Sequence, residues 1–205
     1  MKKKYWAFLI GSWCLSVGMQ AAKVDTLSVH SDAMNKEVQV ITICPDKAMA
    51  GEKCPVLYLL HGYGGNAGTW LGIKPELPQI ADKEGIIFVC PDGKNSWYWD
   101  SPLNKEYRYE TFVSKELVNY IDKNFTTKVE RGGRAITGLS MGGHGSLWLS
   151  IRHKDVFGGG GSMSGGLDIR PFPNNWEMKK QLGEEASNKQ RWDEHTVINQ
   201  LDKIK

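Results

Sequence analysis

The sequence lacks an excess of charge of either sign. Its 26 basic and 23 acidic residues leave a formal charge of +3, and the lysines at positions 2–4 account for that surplus, so residues 23–205 balance at zero. A protein that holds nucleic acid neutralises phosphate groups with clustered Lys and Arg side chains. The charge balance gives no support to such a partner, and we predict no nucleic-acid partner.

An apolar run long enough to span a membrane is also missing. The longest, residues 6–17, covers 12 residues, whereas a spanning helix needs about 20. Lysines before this run and GMQAA after it are typical of a secretory signal peptide. We predict a signal peptide over residues 1–22, cleaved near Ala21 or Ala22, and a secreted or periplasmic protein without a membrane anchor. A lipid on Cys14 is the alternative, disfavoured because the bulky Trp13 precedes it.

Cysteine is scarce, with four residues in the chain. Cys14 would leave with the signal peptide, so an odd number would remain in a compartment where disulfides persist. Cys44 ends one strand-like run and Cys54 precedes the next. A bridge between them and three free thiols are therefore equally open. Cys90 ends the apolar run IIFVC and is expected to be a small core residue.

What the sequence does contain is an alternation of strand and helix patterns. The apolar stretches KEVQVITIC, PVLYLL, GIIFVC and RAITG are typical of strands. Helical spacing is found over residues 69–84, 110–125 and 141–153. This alternation predicts one α/β domain over residues 23–205, with a mostly parallel sheet covered by helices on both faces. GGGGS at 158–162 is interpreted as a glycine-rich buried strand rather than a flexible linker.

The segment GLSMG, residues 138–142, lies between a strand pattern and a helix pattern. In that context G-x-S-x-G indicates a nucleophile elbow, a tight turn that presents a strained serine. Glycine is needed two residues to either side because a side chain there would collide with the turn. Ser140 is therefore the predicted catalytic nucleophile. It needs a base to take its proton and amide donors for the oxyanion.

A second glycine-rich segment, HGYGG at residues 61–65, follows the strand pattern PVLYLL. Glycines after an early strand allow the backbone to turn an amide towards the nucleophile. We predict that the backbone N–H groups of Tyr63 and Met141 form the oxyanion hole. His61 is expected to brace this loop rather than to act as the base.

Four separated segments carry a resemblance to a known family: HGYGG, CPDGKNSWYWDSP, YETFVSKELVNYID and TGLSMGGHGSLWL. In this order and spacing they resemble the secreted putative esterase family of the α/β-hydrolase fold, close to S-formylglutathione hydrolases, feruloyl esterases and mycolyltransferases. The resemblance extends over residues 24–205. It implies that Ser140 is the nucleophile, that the Tyr63 and Met141 amides form the oxyanion hole, and that the substrate is a carboxylic ester or thioester. We expect no cofactor and no metal.

In this fold the triad acid follows a later strand, and the triad histidine lies near the C-terminus. The resemblance therefore implies that the acid and the histidine are not in this chain, that the C-terminal strands are missing, and that the chain as given is inactive. His195 is predicted on a helix surface, and His144 follows Ser140 on its own helix. Asp168 is the alternative acid within the chain, disfavoured because the family places the acid later.

Trp97 and Trp99 follow the strand that ends at Cys90, on a loop at the sheet edge where such folds bind ligands. We predict that they bind substrate by stacking on a sugar or an aromatic acyl group, with packing of the loop against the core as the equal alternative. The favoured function is a serine esterase that acts through an acyl-enzyme on short acyl or polysaccharide-linked esters. An acyltransferase of the mycolyltransferase kind and a non-catalytic carbohydrate-binding derivative are the alternatives.

Overall fold

The computed structural model describes residues 22–204, so residues 1–21 of the predicted signal peptide lie outside the described part. A six-stranded sheet has the order β1-β2-β4-β3-β5-β6. β1 pairs antiparallel with β2, and β2 is antiparallel to β4, while β3 to β6 run parallel. This confirms the mostly parallel sheet. The strands are β1 (Lys23–Ser31), β2 (Lys36–Cys44), β3 (Val56–Leu60), β4 (Ile87–Pro91), β5 (Arg134–Gly138) and β6 (Gly159–Gly160).

Helices connect the parallel strands and follow the last of them. A π-helical segment, Phe112–Leu117, joins α4 to α5, so that one continuous helix runs over residues 109–124. Short 3₁₀ segments occur at Arg131–Gly133, Glu185–Ser187 and Val197–Ile204. No helix in the described range is both long and apolar enough to cross a bilayer. The α-helices are α1 (Asp46–Met49), α2 (Thr69–Ile73), α3 (Leu77–Glu84), α4 (Tyr109–Thr111), α5 (Val118–Asn124), α6 (Met141–Arg152), α7 (Met178–Leu182) and α8 (Lys189–Glu194).

The helix predicted over residues 69–84 is divided into α2 and α3. Pro75 explains the break, because it lacks an N–H donor and disfavours helical dihedrals in the residue before it. Lys74 accordingly has φ −134° and ψ 78°. The single-helix prediction was wrong here, while α6 and the helix over residues 109–124 match the predicted spacing.

Both faces of the sheet are buried, and β3 shows how the sequence achieves this. Val56, Tyr58 and Leu60 belong to the larger core, which α5 and α6 cover. Leu57 and Leu59 point to the opposite face and pack into the smaller core beneath α2 and α3. Because successive strand residues alternate between faces, a continuous apolar strand is the expected sequence of a sheet covered on both sides.

The strand order sets the position of the functional site. β3 lies between β4 and β5, so the chain leaves β3 towards one side and later returns to the other. The loops that follow β3 and β5 therefore diverge from neighbouring strand ends. In open α/β sheets ligands bind at this kind of switch point.

Two smaller predictions receive an answer from the sheet. The glycine-rich segment does form a strand, β6, which pairs with β5. Both of its residues are exposed because β6 is the edge strand of the described sheet, so the prediction of a buried strand was wrong. The three described cysteines are free and buried. Cys44 ends β2 and Cys54 precedes β3. These two strands are not neighbours in the sheet, because β4 lies between them.

Candidate active site

Ser140 occupies the turn between β5 and α6 in a strained backbone conformation. Its φ is 56° and its ψ is −115°, a region that a non-glycine residue rarely adopts. The Ser140 amide donates to the Met163 carbonyl at 2.8 Å, and the His144 amide donates to the Ser140 carbonyl at 2.9 Å. These bonds fix the turn on both sides, so that the serine is held at the end of the strand and the start of the helix.

The glycines around Ser140 are required by close backbone contacts. A Cβ on Gly138 would lie 2.3 Å from the Gly142 carbonyl oxygen, and one on Gly142 would lie 2.2 Å from the Leu60 carbonyl oxygen. Neither neighbour is a flexible side chain that could move away. The G-x-S-x-G spacing is therefore a steric condition for bringing α6 against the end of β3.

The loop after β3 passes beside Ser140 and is hydrogen-bonded to the loop after β4. A Cβ on Gly62 would lie 3.5 Å from the Ser140 Cβ. The buried His61 donates from Nδ1 to the Gly62 carbonyl at 2.7 Å and accepts at Nε2 from the Gly93 amide at 2.8 Å. The Gly64 amide donates to the Asn95 side chain at 2.9 Å. His61 thus braces the loop with both ring nitrogens, as expected.

The predicted oxyanion hole consists of two backbone amides, those of Tyr63 and Met141. Met141 is the first residue of α6, and the first N–H groups of a helix have no acceptor within the helix. Across the described residues, the Tyr63 amide donates to no acceptor. Met141 directly follows Ser140, and Tyr63 directly follows Gly62. Hydrogen bonds hold the backbone at both of these preceding residues.

A cavity of about 180 Å³ opens at Ser140. Its walls are largely aromatic, and they include Tyr63, Trp97, Phe172 and Trp176. Asp168 is the one charged residue among the described residues that line it. The Trp97 indole N–H donates to the Trp176 carbonyl at 3.3 Å, which joins the segment after β4 to the segment before α7. The cavity is therefore an apolar, ring-lined space with one carboxylate.

Backbone strain is concentrated around this cavity. Eight described residues other than glycine have positive φ, a conformation that costs about 1–3 kcal/mol and clusters at functional sites. Four of them line the cavity, and two more are their direct neighbours in the chain. These six residues are Trp97, Tyr98, Ser140, Ser164, Trp176 and Glu177.

The structure separates the two tryptophans that were predicted to bind substrate. Trp97 lines the cavity, whereas Trp99 is fully buried and does not reach it. Trp99 stacks behind Trp97, with ring centroids 5.6 Å apart, and its indole N–H donates to His144 Nε2 at 2.9 Å. The prediction for Trp99 is corrected accordingly: its indole is a packing group of the core, because both its ring face and its polar atom are already engaged.

None of the five histidine rings of the chain, all of which lie within the described residues, is hydrogen-bonded to Ser140. His144 donates from Nδ1 to the Gly166 carbonyl at 2.7 Å and accepts from Trp99, so both nitrogens are occupied. Burial lowers the pKa of His144 to about 4. His153 lies 2.9 Å from Glu110. The rings of His144 and His153 are therefore engaged elsewhere in the described part of the chain.

His195 is also not the surface residue that helical spacing predicted. It follows the end of α8, and its ring stacks on Trp148 with centroids 5.5 Å apart and planes 12° apart. Its Nδ1 donates to the Arg191 carbonyl at 2.7 Å. Burial lowers the pKa of His195. Helical spacing missed this environment because the partner ring belongs to α6, more than forty positions earlier in the sequence.

Asp168 lines the cavity but has no histidine partner within the described chain. Its carboxylate accepts from the Arg170 side chain at 2.8 Å on each oxygen. Hydrogen bonds from Arg170 hold the pKa of Asp168 below its usual range. The arrangement is an Asp–Arg pair rather than the Asp–His pair of a catalytic triad.

A mixed sheet with a serine on a strand–helix turn, facing a glycine-rich loop, defines an α/β-hydrolase. The family model described as putative esterase matches residues 31–203, and the chain belongs to that family. The chain is 29% identical over 151 residues to an acetyl esterase of Caldicellulosiruptor saccharolyticus, covering 70% of this chain and 56% of that protein.

Two further comparisons agree with this family. A diacylglycerol acyltransferase/mycolyltransferase, Ag85A, of Mycobacterium leprae is 34% identical over 155 residues, which cover 71% of this chain and 44% of that protein. A solved ferulic acid esterase superposes with a TM-score of 0.68 at 29% identity, over 86% of this chain and 71% of that chain. The chain thus spans about half the length of these curated relatives.

Proposed function

We propose that this protein is a serine carboxylic-ester hydrolase that acts through an acyl-enzyme on short acyl or polysaccharide-linked esters. The observation that carries the proposal is Ser140, strained on the turn before α6 and lining one cavity with Tyr63. In this reading Ser140 Oγ attacks the ester carbonyl, the two amides stabilise the oxyanion, and the alcohol leaves. Water then releases the acid and restores the hydroxyl.

The serine also needs a base, and the described residues contain none in contact with it. We therefore expect residues 22–204 to react slowly. Loss of a triad member costs about 10⁴-fold or more in rate, and labelling by a fluorophosphonate should be at least about 10³-fold slower than in a complete serine hydrolase. The triad acid and histidine are not assigned to any residue of this chain.

A fluorophosphonate probe tests the nucleophile directly. After long incubation, peptide mass spectrometry should locate the label on Ser140, and Ser140→Ala should remove it. Ser150→Ala is the matched control because Ser150 lies on the same helix, α6, outside the cavity lining; this variant should label like the wild type. Label that persists in Ser140→Ala would contradict the assignment.

An acyltransferase is the second candidate, and similarity to a mycolyltransferase favours it. The same acyl-enzyme would then pass its acyl group to an alcohol instead of to water. Adding a sugar or polyol acceptor to an acyl-donor assay separates the two: transfer to the acceptor at the expense of free acid would favour the transferase. We further propose that the substrate is a small-molecule or polysaccharide ester met outside the cytoplasm, on the basis of the signal-peptide pattern and the ester-cleaving relatives.

A further inference from the structure

The first described residue, Ala22, is buried although the two residues after it are not. Its exposed fraction is 5%, and it belongs to the smaller core together with Ala81 and Phe88. Lys23 and Val24, which begin β1, are both exposed. A strand end that lay loosely on the sheet would leave all three residues in solvent. Ala22 therefore occupies a defined position against the smaller core.

The carboxylate of Asp82, on α3, binds the backbone nitrogen of this residue. Oδ2 accepts from the Ala22 nitrogen at 2.6 Å, and Oδ1 accepts from the Asp46 amide at 2.9 Å. The two oxygens thus bind donors from two different segments, one before β1 and one after β2. Both hydrogen bonds together hold the carboxylate of Asp82 in one orientation beside the start of β1.

This carboxylate has no cationic partner within residues 22–204. The lysines close to it in the chain are paired with other acids, Lys23 with Asp25 at 2.9 Å and Lys47 with Glu52 at 3.3 Å. No Lys, Arg or His side chain in that range forms an ion pair with Asp82. Asp82 is half-buried, and removing a charge from water costs free energy unless an opposite charge compensates it.

Cleavage of the predicted signal peptide before Ala22 would supply the missing cation. In hydrolysis by a signal peptidase, water gives its hydroxyl to the Ala21 carbonyl carbon and a hydrogen to the Ala22 nitrogen. The new acid ionises, which leaves a carboxylate on Ala21, and the new amine is protonated. An ordinary α-amino group has a pKa of about 7.7–8.0 and is largely an ammonium group at neutral pH. The Ala22 nitrogen already lies at hydrogen-bond distance from Oδ2, so the charge would arise at the carboxylate.

We propose that the signal peptide is cleaved between Ala21 and Ala22 and that the new α-ammonium group of Ala22 forms an ion pair with Asp82. Processing then adds a charge pair that attaches the start of β1 to α3. Cleavage one residue later would remove the buried Ala22 and leave Asp82 without this donor. The proposal rests on the export signal that forms part of the proposed function, and it is independent of the chemistry at Ser140.

Export of the full chain tests the position of cleavage. The chain is produced with its own residues 1–22 in a bacterial host, and mass spectrometry of the exported protein and of its N-terminal peptide gives the first residue. We expect Ala22. A mature protein that begins at Ala21, at Lys23 or later, or a chain that stays uncleaved, would overturn the proposal. The fluorophosphonate label on Ser140 does not depend on this result, so the two failures are distinguishable.

Reactivity of the α-amino group tests the ion pair. Reductive methylation requires the uncharged amine, and a carboxylate partner keeps the amine protonated. At pH 7 we expect Ala22 of the mature protein to be methylated about tenfold more slowly than in Asp82→Asn, the effect of one hydrogen bond between charged groups. Asp25→Asn is the matched control, because Asp25 binds Lys23 beside the terminus but not the Ala22 nitrogen; it should react like the wild type. Equal rates in the wild type and Asp82→Asn would contradict the ion pair.

A second N-terminus separates the new charge from the shape of the site. Protein that begins at Ala21 keeps the Ala22 nitrogen as a neutral amide, and a fusion cleaved without added residues provides both forms. Asp82→Asn should raise the unfolding equilibrium constant in urea about tenfold more in the form that begins at Ala22. A change of shape alone affects both forms alike, so the difference between the two losses isolates the charge. Equal losses would show that the ammonium group adds nothing and would overturn the proposal.

Discussion

His144 is buried as a neutral imidazole, and this predicts a loss of stability in mild acid. Its ring is fully buried on α6, between a carbonyl that accepts from Nδ1 and the Trp99 indole that donates to Nε2. Burial lowers the pKa of His144 from its usual 6.5 to about 4. Protonation would place two N–H donors face to face at Trp99, so the folded state resists it.

The direction in which stability changes with pH follows from proton uptake. Between pH 6.5 and pH 4 the unfolded chain binds a proton at this side chain and the folded chain does not, so stability falls as the pH falls. At pH 5 the difference is about 2 kcal/mol, compared with a net stability of about 5–15 kcal/mol for a typical domain. Burial also lowers the pKa of His195 and adds to the loss in the same pH range. Arg170 lowers the pKa of Asp168, so the stability that this pair contributes is lost as the pH falls from the usual carboxylate pKa towards the lowered one, which is more acidic than the histidine range.

Urea unfolding at pH 7.5 and pH 5.0 measures this loss. The variant His144→Gln can donate to the Gly166 carbonyl and accept from Trp99, yet it does not titrate. We expect the wild type to lose about 2 kcal/mol or more over this range and the variant to lose about 2 kcal/mol less. Equal pH dependence in the wild type and His144→Gln would refute the reasoning.

Two other predictions concern the turn and the N-terminus. Gly142→Ala should destabilise the fold by about 1–3 kcal/mol or more, because the new methyl group would overlap the Leu60 and His61 carbonyls. In thermal unfolding, Gly72→Ala is its control, since a Cβ there meets nothing within 4 Å; an unchanged melting temperature in Gly142→Ala would contradict the steric argument. The mature N-terminus of exported protein should lie between Ala21 and Val24 without a lipid, and mass spectrometry that finds an acylated Cys14 would show that the signal-peptide interpretation is wrong.

The sequence could predict those parts of the fold that short-range rules determine. Strands with continuous apolar faces, the helix α6 and the turn at Ser140 all follow from patterns within about fifteen residues. The break at Pro75 was equally local and could have been found from that proline alone. His195 could not, because its ring lies against Trp148, and no periodicity within α8 carries information about a partner on another helix.

The sequence also could not predict that Trp97 and Trp99 lie in different environments. Two residues apart, they would point the same way from an extended strand. Trp97 and Tyr98 instead have positive φ, 57° and 61°. Trp97 thereby lines the cavity while Trp99 enters the core. No local signal marks such a conformation in bulky residues, since it is stable only when tertiary packing imposes it.

That packing depends on two glycines far apart in the sequence. The Tyr98 ring is fully buried, and its hydroxyl donates to the His61 carbonyl at 3.1 Å, at the base of the glycine-rich loop. A Cβ on Gly93 would lie 2.4 Å from this ring, and one on Gly145 would lie 2.3 Å from it. Gly145 therefore has a role that the serine motif does not explain: it leaves room on α6 for the ring that supports the loop opposite Ser140. The strained aromatic loop, the helix that follows Ser140 and the predicted oxyanion loop are in this way held by one buried side chain.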